Sequence, residues 1–201
     1  MKLSRLTMGM FRAILGIGFV LLIGQVPAQA KGPKLTHTES VGEITITSFA
    51  FGGPAGCDPA TGAGCTFYDL GASVKGQNTP LGPYSETATA TVLLLSTPNG
   101  GHDADGNPTE FCMPEMGTAI DTYSDGSTIS SDFQGTSCCA TASCNGGPPR
   151  VNHDSSVITA GTKRFSGAEG GWSWSDSLGP SGALLMHAEG VLQLPGGSET
   201  H

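Results

Sequence analysis

Period-two alternation is the feature that most restricts this chain. Within residues 85–97, Thr87, Thr89 and Thr91 alternate with Ala88, Ala90 and Val92, and the run ends in Leu93-Leu94-Leu95. Successive side chains of a strand point to opposite faces, so the pattern predicts a strand with one wet and one dry face. Threonine is also a poor helix former. Residues 41–51 repeat the pattern, with Ile44 and Ile46 set against Thr45 and Thr47. Residues 66–70 form a short strand. Residues 118–123 and 128–133 flank Ser124-Asp125-Gly126-Ser127 and read as a hairpin. Residues 156–159 start a further strand, and Trp172 and Trp174 alternate with Ser173 and Ser175 in another. Residues 183–194 have a helix-compatible composition, but Gly190 and the alternation around Val191 favour a strand. The stretches 52–64, 71–83, 98–108 and 138–152 read as loops, rich in Gly, Pro, Asn and Asp. Strands recurring every 8–12 residues or so, punctuated by turns, predict an all-β domain. The expected form is a single antiparallel β-barrel, since closure removes exposed strand edges.

One segment does not fit this pattern. Lys2, Arg5 and Arg12 precede an apolar run over residues 13–23, and Ala28-Gln29-Ala30 has the small-x-small form that signal peptidases cleave. The run is shorter than the roughly 20 apolar residues of a membrane-spanning helix. Residues 1–30 are therefore read as a signal peptide, 31–40 as a loose leader, 41–194 as the barrel and 195–201 as a loose tail. The mature chain is expected to be secreted or periplasmic. It keeps six of the nine Lys and Arg and all seventeen Asp and Glu, a net charge of −11 against −8 for the whole chain. Such a surface disfavours nucleic acid and anionic membranes, and no basic patch offsets it.

An exported chain with six cysteines is expected to carry disulfides. Cys57 and Cys65 bracket a turn-rich loop and are paired with each other. Cys112 joins Cys138 or Cys139, and Cys144 takes the remaining one. A bond between Cys138 and Cys139 would strain the backbone, because adjacent Cα atoms lie about 3.8 Å apart. The spacing Cys138-Cys139-x4-Cys144 does not match the paired C-x2-C of zinc sites.

Residues 157–170, Val-Ile-Thr-Ala-Gly-Thr-Lys-Arg-Phe-Ser-Gly-Ala-Glu-Gly, resemble the ITGGTGRFAGATG segment of the allene oxide cyclase-like and dirigent-like barrels. Asp125-Gly126-Ser127-Thr128-Ile129 with Gly135, and the closing Glu189-Gly190-Val191-Leu192-Gln193-Leu194, are similar to that group's hairpin and last strand. The resemblance covers about residues 110–194 and departs at Ala160 and Lys163, where the group favours glycine. It implies a small exported barrel plugged by Phe165. The group includes cyclases and proteins that guide phenoxy-radical coupling, but a shared fold carries no catalytic residue across.

The chemistry offers few motifs. No phosphate-binding loop, zinc-protease helix or nucleophile elbow occurs, and no cofactor is implied. Asp103 and Asp105, with Glu110 nearby, place oxygen ligands as calcium loops do, but the twelfth position of an EF-hand register falls on Cys112 rather than Glu. A solvated turn is the competing reading. Trp172, Trp174 and Asp176 share one strand face, and His187 and Glu189 share another. If both faces point into the lumen, they make an aromatic pocket with an acid–base pair for a small hydrophobic ligand. The competing arrangement leaves His187 and Glu189 in water and the tryptophans in the core. His153-Asp154 is read as a solvated loop pair. The sequence thus favours a binding or structural module, with a cofactor-free cyclase or isomerase as the alternative.

Overall fold

A computed structural model of the protein describes residues 33–95, 97–98, 102–139, 151–178 and 183–195. The signal segment, Cys144, most of the 138–152 loop and the end of the tail lie outside them. The strands are β1 (Lys34–Gly52), β2 (Phe67–Thr79), β3 (Gly82–Leu93), β4 (Thr97–Pro98), β5 (Phe111–Tyr123), β6 (Thr128–Cys139), β7 (Val151–Gly161), β8 (Glu169–Leu178) and β9 (Leu184–Leu194). A 3₁₀ turn, Lys163–Phe165, lies between β7 and β8. Each long strand pairs antiparallel with its sequence neighbours. The short β4 lies beside β5, which leaves β3 free to pair with β5 from Tyr84↔Tyr123 to Val92↔Glu115. β1 pairs with β9, so the sheet closes as an eight-stranded antiparallel barrel. No helix among the described residues is long and apolar enough to cross a membrane.

Barrel closure corrects two sequence expectations. Residues 31–40 are not a loose leader throughout, because β1 already begins at Lys34, where it meets Leu194. The first strand of a closed barrel must satisfy the last, and backbone pairing overrides the polar composition there. Residues 71–83 are not a loop either, because β2 continues to Thr79. The turn itself is confined to Thr79-Pro80-Leu81-Gly82, with a cis Thr79–Pro80 bond and Gly82 at φ +104°.

Alternation decides what fills the barrel. Tyr84, Ala90 and Val92 of β3 are buried, whereas Thr87 and Thr89 face water. One end is packed by Phe165, Tyr123, Ile129, Ile158 and Leu192. Phe165 is 1 % exposed and sits 4.9 Å from the Tyr123 ring, in the plug position its motif implies. Arg164 lays its guanidinium over both rings, donates to the Leu81 carbonyl at 3.0 Å and pairs with Asp125 at 3.2 Å. Lys163 occupies the position where related motifs favour glycine, and its φ is +50°, in the left-handed region. Its ammonium donates to the Asp125 carbonyl at 2.7 Å, which ties the turn to the β5–β6 hairpin. Gly170 has φ +127° and presses on the Val191 carbonyl, a conformation and an approach that a side chain would disrupt. Toward the other end lie Tyr68, Val92, Met113 and Cys139, with Phe51, Leu70, Leu94 and Phe111 against them. Cys57–Cys65 and Cys112–Cys138 are disulfides. Cys112 and Cys138 are directly opposed on β5 and β6, which selects Cys138 over Cys139 as the partner of Cys112. Cys139 is also disulfide-bonded.

Candidate functional site

The barrel interior is acidic. Glu86 follows the inward parity of Tyr84, Ala88 and Ala90 on β3, and Asp121 lies directly opposite it on β5. Their carboxyl groups meet within hydrogen-bonding reach. Burial raises the pKa of both, and the charge of Glu86 pushes Asp121 well above the usual carboxylate range. Two carboxyls this close cannot both ionise cheaply, which favours keeping a proton on the pair. Tyr84 and Tyr123 flank the pair, and burial, followed by the neighbouring carboxylates, raises their hydroxyl pKa values. The buried Tyr123 hydroxyl has no hydrogen-bond partner, whereas the Tyr84 hydroxyl meets the Ser40 side chain.

A second acidic group is carried by β5, β7 and β8. Asp154 is 6 % exposed, and its pKa is raised to about 7 by burial and then by the charge of Asp176. Its Oδ1 has no partner. Asp176 accepts bonds from the Asn152 backbone N–H at 3.0 Å and from Asn152 Nδ2 at 3.2 Å, yet burial still raises its pKa. Glu115 is buried on the neighbouring wall. Trp174 packs edge-on to Phe133 at 5.1 Å and hydrogen-bonds Asp154. Trp172 donates from Nε1 to Thr38 Oγ1 at 2.8 Å.

Two adjoining cavities lie among these groups. One of about 30 Å³ is lined by Tyr84, Glu86, Asp121, Ser131 and Trp172, among others. One of about 70 Å³ is lined by Glu86, Glu115, Asp154, Asp176 and Phe133, among others. Glu86, Trp174 and Met186 border both. Each has room for water, and both are far smaller than the 300–1,000 Å³ typical of pockets for drug-sized ligands. A groove of about 600 Å³ on the outer wall reaches Glu115, Asp154 and Trp174 from the other side. There β6 presents Gly135, and Asp154 occupies the space a side chain would need.

Trp172, Trp174 and Asp176 therefore share the lumen, whereas His187 and Glu189 do not. His187 lies on the outer face, with Nε2 3.0 Å from Glu39 Oε1 of β1, and Glu189 is exposed nearby. The acid–base pair expected from His187 and Glu189 does not form in the interior. Asp103 ends its side chain in its own turn, accepting from the backbone N–H of Asp105 at 2.9 Å and of Asn107 at 2.8 Å. Those bonds hold its pKa below the usual value. Asp105 is exposed in the same turn. Glu110 lies beside Cys112 and Cys138, but the disulfide removes the thiolates a metal would need. Sequence reading missed Glu86, Glu115 and Asp121, and it placed His153-Asp154 in a solvated loop, whereas both lie on β7 with His153 exposed and Asp154 buried. Parity was the available signal: Glu86 keeps step with Ala88 and Ala90, and Asp154 with Ser156 and Ile158.

No protein-family profile matches this chain, and no curated protein sequence matches it. Among solved structures it is similar to the pterocarpan synthase dirigent protein GePTS1, at 14 % identity and a TM-score of 0.37, covering 86 % of this chain and 92 % of that one. The barrel itself rests on the strand pairing.

Proposed function

We propose that this protein is an exported binding module that holds a small ligand with an apolar body in its barrel lumen. The observation that carries this reading is the interior. Five carboxyl groups share it with two tryptophans, and Asp154 Oδ1 and the Tyr123 hydroxyl have no partner. Burying such groups costs stability, and a small barrel can be filled more favourably with aliphatic side chains. Perturbed carboxyls gathered with aromatic rings in a cavity are the arrangement expected of a site. The disulfides support export, and the acidic mature chain argues against nucleic acid as a partner.

Emission from Trp172 and Trp174, the two tryptophans of the chain, tests the reading. A saturable shift is expected when the mature protein is titrated with a panel of small aromatic molecules of differing charge. No saturable shift with any of them overturns a lumen site.

A second reading is a cofactor-free isomerase or cyclase. The Glu86–Asp121 pair favours it, because two buried carboxyls within hydrogen-bonding reach let one give a proton while the other accepts one. Under this reading, the E86Q and D121N variants would keep ligand binding and lose turnover.

A further inference from the structure

The charge of the lumen narrows its ligand further. We propose that the larger cavity takes a small organic cation: a primary ammonium at Asp154, Asp176 and the Asn152 amide oxygen, with a short apolar stem against Trp174 and Phe133. This rests on the reading of the lumen as a ligand site.

No Lys, Arg or His lines either cavity. Arg164 belongs to the plugged end, where Asp125 and the Leu81 carbonyl engage it. His153 points outward from β7. An anion placed inside would meet carboxyls and no basic lining residue, with His153 acting on Asp176 only from the outer face. A neutral apolar molecule would cover Asp154 Oδ1 and Asn152 Oδ1, neither of which has a hydrogen-bond partner. An ammonium brings three donors to those acceptors, and its charge favours the face of an indole.

A bare divalent ion fits less well. No three of the lumen carboxylates bring ligand atoms within 4.8 Å of one another; among the described residues the group that does is Glu110, Cys112 and Cys138. An ammonium needs only the two aspartates and the Asn152 amide oxygen. The walls also supply an approach. The outer groove and the larger cavity both touch Glu115, Asp154 and Trp174, so these side chains stand between the chamber and the groove near Gly135. Binding of the cation requires Asp154 as carboxylate, so any proton it carries must leave.

Calorimetry and tryptophan emission on the mature protein at pH 7, with ethylamine, ethanol, acetate and calcium chloride as probes small enough for the cavity, test the proposal. Ethylamine is expected to bind at least tenfold more tightly than ethanol, to shift the emission, and to release protons visible as a buffer-dependent enthalpy. Acetate is expected not to bind. D154N, and independently D176N, should weaken ethylamine at least tenfold while circular dichroism shows the barrel intact. Equal binding of ethanol or acetate overturns the cation proposal and leaves the lumen site standing. Tighter binding of calcium than of ethylamine overturns it in favour of a metal. Ethylamine binding that ignores both variants places the cation on the acidic outer surface and also overturns it. Binding of none of the probes removes the proposal and counts against the lumen site together.

Discussion

Strands β8 and β9 are hydrogen-bonded neighbours with the same alternation, yet their chemically suggestive residues end on opposite sides of the wall. Trp172, Trp174 and Asp176 face the lumen, while His187 and Glu189 face outward. The register explains the split. Trp174 lies opposite Ala188, and Ser175 lies opposite His187. Directly opposed residues of a sheet share a face. Once Trp174 is inside, Ala188 is inside with it and His187 must be outside. Two sets picked out on separate strands can meet only if their cross-strand partners agree in parity, and here they do not.

If the inner face holds the fold and the outer face does not, substitutions should separate accordingly. The largest effect is expected at the plug. Phe165→Ala removes a side chain that is 1 % exposed and should cost about 3–5 kcal/mol in chemical denaturation. Val157 is 66 % exposed on β7, and Val157→Ala should stay within about 0.5 kcal/mol. Comparable losses at the two positions would break the inside–outside distinction.

The inner acids set the next effect, and its sign can be worked out. Asp154 has a folded pKa of about 7, above its ordinary 3.8, so the folded state holds the proton more tightly than the unfolded chain. Stability is therefore highest below about pH 4 as far as this group is concerned, and it falls as pH rises to about 7. Each unit of difference corresponds to about 1.4 kcal/mol, so the loss amounts to a few kcal/mol at most. Glu86, Asp121 and Asp176 are shifted the same way and add to the trend. Asp154→Asn should flatten the profile and raise stability at pH 7. A variant whose profile parallels the parent would place Asp154 in water.

The strands were easier to read from sequence than the site. Alternation over residues 85–97 located β3, and the Asp125-Gly126 turn located the β5–β6 hairpin, because both signals are local. The polar start of β1 was hidden because its structure comes from pairing with β9, some 150 residues away in sequence. The interior carboxylates were hidden for a different reason. Burying an acid runs against the hydrophobic pattern from which inward faces are read, so Glu86 and Asp154 looked like solvent positions. Trp172 and Trp174 were visible because aromatic residues agree with that pattern.

A smaller effect is expected from the polar edge of Trp172. Its indole N–H donates to Thr38 Oγ1 at 2.8 Å, joining β8 to β1 over Gly190 of the intervening β9, and both residues are buried. Trp172→Phe removes that donor and part of the ring and should cost about 1–2 kcal/mol in the unfolding free energy. Adding Thr38→Val should recover part of the loss, because it removes the orphaned hydroxyl. If the second change deepens the loss instead, Thr38 has another essential partner inside the barrel.

The smallest effect belongs to the outer face of β9. His187 reaches Glu39 at 3.0 Å, but the two side chains are 49 % and 63 % exposed, so solvent screens the pair. The same two strands place Glu39 directly opposite Glu189, a like-charge contact that offsets part of any attraction. His187→Ala should therefore change stability by no more than a few tenths of a kcal/mol and leave tryptophan emission unmoved. It should also leave the affinity for any lumen ligand within twofold of the parent, because Ala188 and not His187 lines the interior. A tenfold loss of binding in this variant would mean that β9 turns its other face inward when the ligand is bound, and the parity argument that separates the two strands would fail.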